Sequence, residues 1–145
     1  MRRSQKLISY KSMKVLFIED EHELQAILKK SFEEEGYAFL QAYDGERGLQ
    51  TALEGKPDII LLDLVLPKKD GFSVLKNLKE NPNTKDIPVI ILTNLEQEKD
   101  IEKSLSLGAL TYLIKINYTP QEIVQKVSKV LTRRIGKIYT KDSSR

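Results

Sequence analysis

Residues 58–71 read Asp-Ile-Ile-Leu-Leu-Asp-Leu-Val-Leu-Pro-Lys-Lys-Asp-Gly. Ile59–Leu62 is a short, wholly apolar run that stops on a carboxylate, Asp63. A run of this length without alternation is how a strand buried on both faces reads. Pro67-Lys68-Lys69-Asp70-Gly71 is strong turn chemistry, and Phe72, Leu75 and Leu78 follow at helical spacing. The same grammar recurs on either side. Val15–Ile18 ends on Glu19-Asp20, Val89–Leu92 ends on Thr93, and Thr111–Ile114 ends on Lys115. Four apolar runs that each end in a carboxylate, hydroxyl or ammonium predict parallel strands presenting one polar cluster at a single sheet edge. Open parallel α/β sheets keep their chemistry in the crevice outside the carboxyl ends of the strands.

Helical segments alternate with these runs. From Glu21 onward, Leu24, Ile27, Leu28 and Phe32 share a helical face, and Gly36 is the expected stop. A weaker strand around Ala38–Ala42 precedes Asp44-Gly45 and a short helix carrying Leu49, Ala52 and Leu53. A fourth helix near Gln97–Leu107 is rich in Glu and Lys and thin in apolar residues, with Ile101, Leu105 and Leu107 as its main contacts. Thr119-Pro120-Gln121-Glu122 has the form of a capped helix start, ahead of Ile123, Val127, Val130 and Leu131. Five such units predict a doubly wound parallel sheet covered on both faces.

At 145 residues the chain is long enough for one domain with its own core. It has no cysteine, which excludes disulfide frameworks, thiolate metal sites and cysteine nucleophiles. No apolar run approaches a bilayer span, and the basic N-terminus lacks the apolar stretch of a secretory signal. A cytoplasmic protein without membrane contact is expected. The net charge of +3 hides an asymmetry: residues 1–14 carry five cations and no acid, and residues 132–145 carry five cations against Asp142. The body between them is therefore acidic, which suits a cation-binding cleft.

Glu19, Asp20 and Asp63 would bring three negative charges into a partly dry crevice. Such charges repel and raise one another's pKa unless a cation sits among them. Hard oxygen donors with no sulfur or imidazole favour Mg²⁺. His22, the only histidine, reads as a solvated first-turn residue, and Lys68-Lys69 as a solvated turn. Gly45, Gly48 and Gly55 match neither common nucleotide-binding spacing.

Over roughly residues 13–132 the chain resembles the receiver domain of two-component response regulators. The resemblance is carried by Lys14–Glu21, by Asp58–Pro67 with Asp70-Gly71 behind it, by Ile87–Thr93, by Gly108-Ala109 and by Tyr112–Lys115. It implies a flavodoxin-like five-stranded sheet of order 2-1-3-4-5 with five helices. Residues 1–12 and 133–145 are then expected as a basic extension and a basic tail. Asp63 would be the phosphoacceptor, taking a phosphoryl group from a histidine kinase or histidine phosphotransfer protein. Asp20 and Asp63 would bind Mg²⁺ directly, Glu19 through water, and Val65 through its main-chain carbonyl. Lys115 and Thr93 would hold phosphoryl oxygens. Thr93 and Tyr112 would form a switch reported on the face of the fourth helix, fifth strand and fifth helix, used by a downstream partner or a homodimer. A tyrosine on a strand also reads as a simple packing residue.

Two positions depart from that family's pattern. Ile116 stands where proline usually follows the lysine, so a trans bond and an altered loop through Asn117-Tyr118 are expected. Asn94 stands where a small residue usually follows the hydroxyl, and is expected to modulate access of the phosphodonor or of water. Three function classes follow: a stand-alone phosphorylatable signalling module, the receiver of a DNA-binding regulator, or an aspartyl-phosphate phosphatase of the haloacid dehalogenase kind. The last expects an aspartate two residues after the nucleophile, where Val65 stands. Direct nucleic-acid binding is not expected from this chain.

Overall fold

The computed structural model describes the backbone of residues 13–143 and side chains as far as Arg134. In chain order the elements are β1 (Lys14–Ile18), α1 (His22–Glu34), β2 (Ala38–Ala42), α2 (Gly45–Gly55), β3 (Ile59–Leu62) and α3 (Gly71–Glu80). They continue with β4 (Val89–Thr93), α4 (Glu98–Ser106), β5 (Thr111–Ile114), a 3-10 turn (Lys115–Asn117) and α5 (Pro120–Ser143). The sheet runs β2-β1-β3-β4-β5, and every neighbouring pair is parallel. The order reverses between β1 and β3, so the crevice that such a sheet offers a ligand opens beyond Ile18 and Leu62.

Strand periodicity divides the core into two. Val15, Phe17, Ile59, Leu61, Ile90, Leu92 and Leu113 point to one face, under Leu28 and Phe32 of α1 and Ile123, Val127 and Leu131 of α5. Leu16, Ile18, Ile60, Leu62, Val89 and Ile91 point to the other, under Ala52 of α2 and Val74, Leu75 and Leu78 of α3. Successive side chains on a strand face opposite ways, which is why uninterrupted apolar runs are needed here. None of the nine α4 residues belongs to either cluster, and its one buried residue is Ser104.

The helix starts have the expected chemistry. Asp44 caps α2 by accepting from the Arg47 N–H at 2.8 Å, and Asp70 caps α3 by accepting from the Ser73 N–H at 3.1 Å. At α5 the box is reciprocal: Glu122 N–H donates to Thr119 Oγ1 at 3.1 Å and Thr119 N–H to Glu122 Oε1 at 2.9 Å. Gly36 ends the α1 turn at φ 92°, a conformation that side chains resist.

On two helices the burial differs from the expectation. Ile27 is exposed, and Gln25 is buried in its stead, in phase with Leu28 and Phe32. On α2 the buried residues are Gly45, Gly48 and Ala52, whereas Leu53 faces out. The backbone of α5 continues past Leu131 to Ser143, and Arg134 is tied to the domain through a 3.2 Å bond to the Asp86 carbonyl. Residues 1–12, expected as a basic extension, lie outside the described residues, as do the side chains beyond Arg134.

Candidate functional site

The register sets the site. Ile18 pairs with Leu62, and the Asp63 N–H donates to the Ile18 carbonyl at 3.1 Å, so Glu19, Asp20 and Asp63 leave two adjacent strands side by side. One carboxylate oxygen from each of the three lies within 4.8 Å of the others. Glu19 and Asp63 are buried, whereas Asp20 opens to solvent.

Lys115, on the 3-10 turn after β5, reaches across to them. Its Nζ lies 2.9 Å from Asp63 Oδ2 and 2.5 Å from Glu19 Oε1. Both contacts are ion pairs, and the first is also a hydrogen bond. The remaining carboxylate oxygens are held by backbone: Glu21 N–H donates to Glu19 Oε2 at 3.1 Å, and Val65 N–H to Asp63 Oδ1 at 3.3 Å. Burial pushes the Glu19 carboxyl up to about 7; Lys115 opposes the shift and Asp63 adds to it. Burial works against the Lys115 ammonium too, but its two carboxylate partners outweigh that and hold its pKa above the ordinary lysine value.

Thr93, fully buried at the end of β4, lies on the same edge, with its Oγ1 a long 3.5 Å from the Leu95 N–H. Tyr112 is half-buried and donates its hydroxyl to the Leu95 carbonyl at 2.7 Å. Burial first, then Asp100 and Asp63, push that phenol up to about 12. Both switch candidates therefore meet the backbone of one residue in the β4–α4 loop. Asn94, next to Thr93, is exposed at the rim. Val65 is 60% exposed there. Ile116 is 77% exposed, and among the described residues every peptide bond is trans, including the one before it. The substitution leaves Lys115 in reach of both acids.

Gln25 escaped the sequence reading. Its buried Nε2 lies 2.9 Å from the Phe17 carbonyl and 3.1 Å from those of Glu19 and Ala42, which ties α1 to the ends of β1 and β2. Among the described residues its Oε1 has no hydrogen-bond partner. The signal was available: a polar side chain in phase with a buried apolar stripe. Gly71 is a second. A Cβ there would lie 2.3 Å from the Asp63 carbonyl oxygen, so only glycine lets α3 start this close to the phosphoacceptor candidate. His22 stays at the surface, stacked on Tyr43 with ring centroids 4.2 Å apart. Lys69 donates to Asn77 Oδ1 at 2.7 Å, and Lys68 pairs with Asp44 at 3.8 Å, so neither joins the acid cluster.

A family model described as the response regulator receiver domain matches residues 15–128. The chain belongs to that family. Receiver domains are signalling modules of two-component systems, not enzymes in their own right, and this one carries the family's fold over the matched residues. It is similar to the DNA-binding dual master transcriptional regulator RpaA of Synechocystis, with 38% identity over 83% of this chain and 49% of the relative. The receiver thus spans about half the length of the curated relatives it matches. Among solved structures it resembles the receiver domain of Francisella response regulator 1452, at TM-score 0.77 and 30% identity over 85% of this chain and 99% of that one. It also resembles the Mn²⁺-bound form of response regulator Rcp1, at TM-score 0.69 and 30% identity over 79% and 91% of the two chains. Among the described residues, no helix is long and apolar enough to cross a membrane.

The donor set fits a hard divalent cation: three carboxylates, no sulfur, no imidazole, and a buried Glu19 oxygen whose only close partner among the described residues is an ammonium.

Proposed function

We propose that Asp63 accepts a phosphoryl group from a phosphohistidine on a histidine kinase or phosphotransfer protein, and that the resulting acyl phosphate switches a partner-binding face. The observation that carries this reading is the convergence of Glu19, Asp20 and Asp63 within 4.8 Å, with Lys115 2.9 Å from Asp63. An Asp63 carboxylate oxygen forms a bond to phosphorus while the phosphorus–nitrogen bond breaks, and the imidazole leaves as the neutral base once it is protonated. Lys115 already bridges two carboxylates and offers its ammonium to the oxygens that gain charge. Asp20 and Asp63 would hold Mg²⁺ directly, Glu19 through water and Val65 through its carbonyl. Bound there, the cation supplies charge neutralisation and positioning, which is most of what phosphoryl transfer requires. That the similar response regulator Rcp1 has a Mn²⁺-bound form supports a divalent ion here.

Thr93 would turn toward the phosphoryl group and Tyr112 would follow, changing the surface formed by α4, β5 and α5. That surface would serve a downstream partner or a homodimer. Asn94 at the rim would set how readily phosphodonor or water reaches Asp63. The half-length match to transcriptional regulators favours a second reading, in which this receiver controls a DNA-binding domain and the receiver itself contacts no nucleic acid. Either role belongs in the cytoplasm.

The test is incubation with Mg²⁺ and acetyl phosphate followed by intact mass measurement. A phosphate-sized gain that disappears in Asp63→Asn and with a chelator supports the proposal. No gain, under conditions that modify another receiver, overturns it.

A further inference from the structure

Of the three clustered acids, Asp20 is the one that no side-chain contact aims. Glu19 and Asp63 are each held by Lys115 and by a backbone N–H. Asp20 is exposed, and among the described residues its carboxylate forms no hydrogen bond or ion pair. Where that carboxylate points is therefore set by the backbone that carries it. Gln25 fixes this backbone on both sides. Its Nε2 donates at 3.1 Å to the Glu19 carbonyl, which belongs to the peptide unit entering Asp20. Its main-chain N–H donates at 3.0 Å to the Glu21 carbonyl. The same Nε2 reaches the Phe17 carbonyl at 2.9 Å and the Ala42 carbonyl at 3.1 Å, and the Ala42 carbonyl also accepts from the Glu19 N–H at 2.9 Å. Glu19 is thus held at both its N–H and its carbonyl, one residue before Asp20.

The surroundings decide how the amide is turned. Three carbonyls can be met only by its NH₂ end, which leaves Oε1 fully buried and, among the described residues, without a hydrogen-bond partner. An unpaired buried acceptor destabilises a fold, so core packing alone does not account for a glutamine in phase with Leu28 and Phe32. We infer that Gln25 is a positioning residue for the cation site: it holds the Glu19–Asp20 peptide plane and through it aims Asp20 at the cation. The inference rests on the proposed Mg²⁺ site and adds to it a residue that touches neither the cation nor the phosphoryl group. Groups that orient a metal ligand from behind are worth about 10–100-fold in affinity. Gln25 acts through the main chain and not on the carboxylate itself, which puts its effect at the lower end, about tenfold.

The probe is Mg²⁺ itself, titrated into the full 145-residue chain with the amide shifts of Asp20 and Asp63 followed by NMR. Gln25→Met keeps the length of the side chain and removes both donors, and Gln25→Leu is a second variant. Leu28→Ala is the control, because Leu28 is fully buried on the same stripe of α1 but bonds no carbonyl of the site. In the Gln25 variants the Mg²⁺ dissociation constant should rise by about tenfold, against less than about twofold in the control. In chelator, the order parameter of the Asp20 amide should fall from about 0.85 to below about 0.6 in the Gln25 variants and stay high in the control. With acetyl phosphate, the half-saturating Mg²⁺ should rise by the same factor, while the rate at saturating Mg²⁺ recovers toward the parent's. The inference is overturned if the Gln25 variants bind Mg²⁺ as the parent does, if their Asp20 is as ordered as the parent's, if Leu28→Ala loses as much affinity, or if the parent binds no Mg²⁺. Should the parent bind Mg²⁺ with the expected loss in the variants and yet gain no phosphate, the phosphoacceptor reading fails and this inference stands.

Discussion

Glu19→Gln tests the electrostatics of the site most directly. Glu19 is fully buried, and burial pushes its carboxyl from 4.5 to about 7. An acid whose folded pKa is raised holds its proton in the folded state after the unfolded chain has released it. Stability therefore falls as pH rises from 4.5 toward 7, and the full loss is in place above 7. The gap corresponds to about 3 kcal/mol. Glutamine keeps the shape and removes the titration. In chelator, the variant and parent should differ little near pH 4.5, and the variant should gain up to about 3 kcal/mol on the parent by pH 8. Part of that gain is offset because Lys115 keeps only Asp63 as its partner. The assay is urea unfolding by circular dichroism across that pH range. Mg²⁺ should shrink the parent's pH slope by supplying countercharge, and should affect the variant far less. A parent–variant difference that stays constant from pH 4.5 to 8 would refute the reasoning.

Gln25→Leu leaves the carbonyls of Phe17, Glu19 and Ala42 without their shared donor. It should cost about 1–3 kcal/mol in urea unfolding and weaken Mg²⁺ binding measured by calorimetry; parental values for both would remove Gln25 from the site's support. Gly71→Ala places a Cβ 2.3 Å from the Asp63 carbonyl oxygen and 2.4 Å from Leu64 Cα, so backbone must move. A loss of about 1–3 kcal/mol, with slower acetyl phosphate labelling, is expected. Asn94→Ala opens the rim and should speed phosphorylation by acetyl phosphate in a mass-resolved time course. Unchanged rates of both gain and loss of phosphate would rule out a role for that side chain.

Much of the fold was legible because the strands are buried on both faces. Ile59–Leu62 has no polar residue to sacrifice, and its first polar successor, Asp63, falls where the sheet ends. The cap at Thr119 is equally local, since it bonds a backbone group three residues away. What was less legible depends on contacts distant in sequence. Leu24, Ile27, Leu28 and Phe32 all suit an apolar stripe, but only docking against β1 and β2 fixes the rotation that buries Gln25 and exposes Ile27. The reach of Lys115 to Glu19 and Asp63 crosses the sheet, so its position despite Ile116 was not readable from the loop alone. The Tyr112–Leu95 bond likewise joins residues whose pairing depends on how the β4–α4 loop folds.

The absence of α4 from both core clusters divides the domain into two tiers of cooperativity. Its buried hydroxyl, Ser104, is satisfied by the Asp100 carbonyl of its own helix at 2.8 Å, and Lys103 lies 4.3 Å from the Phe72 ring centroid. Opening this helix exposes little apolar surface, whereas opening β4 or β5 on either side breaks the sheet. Amide protons of α4 should then exchange through a local event well below the global unfolding free energy, while those of its flanking strands wait for the whole domain. The helix can be re-registered, melted or reshaped by a partner without the rest of the fold losing its protection.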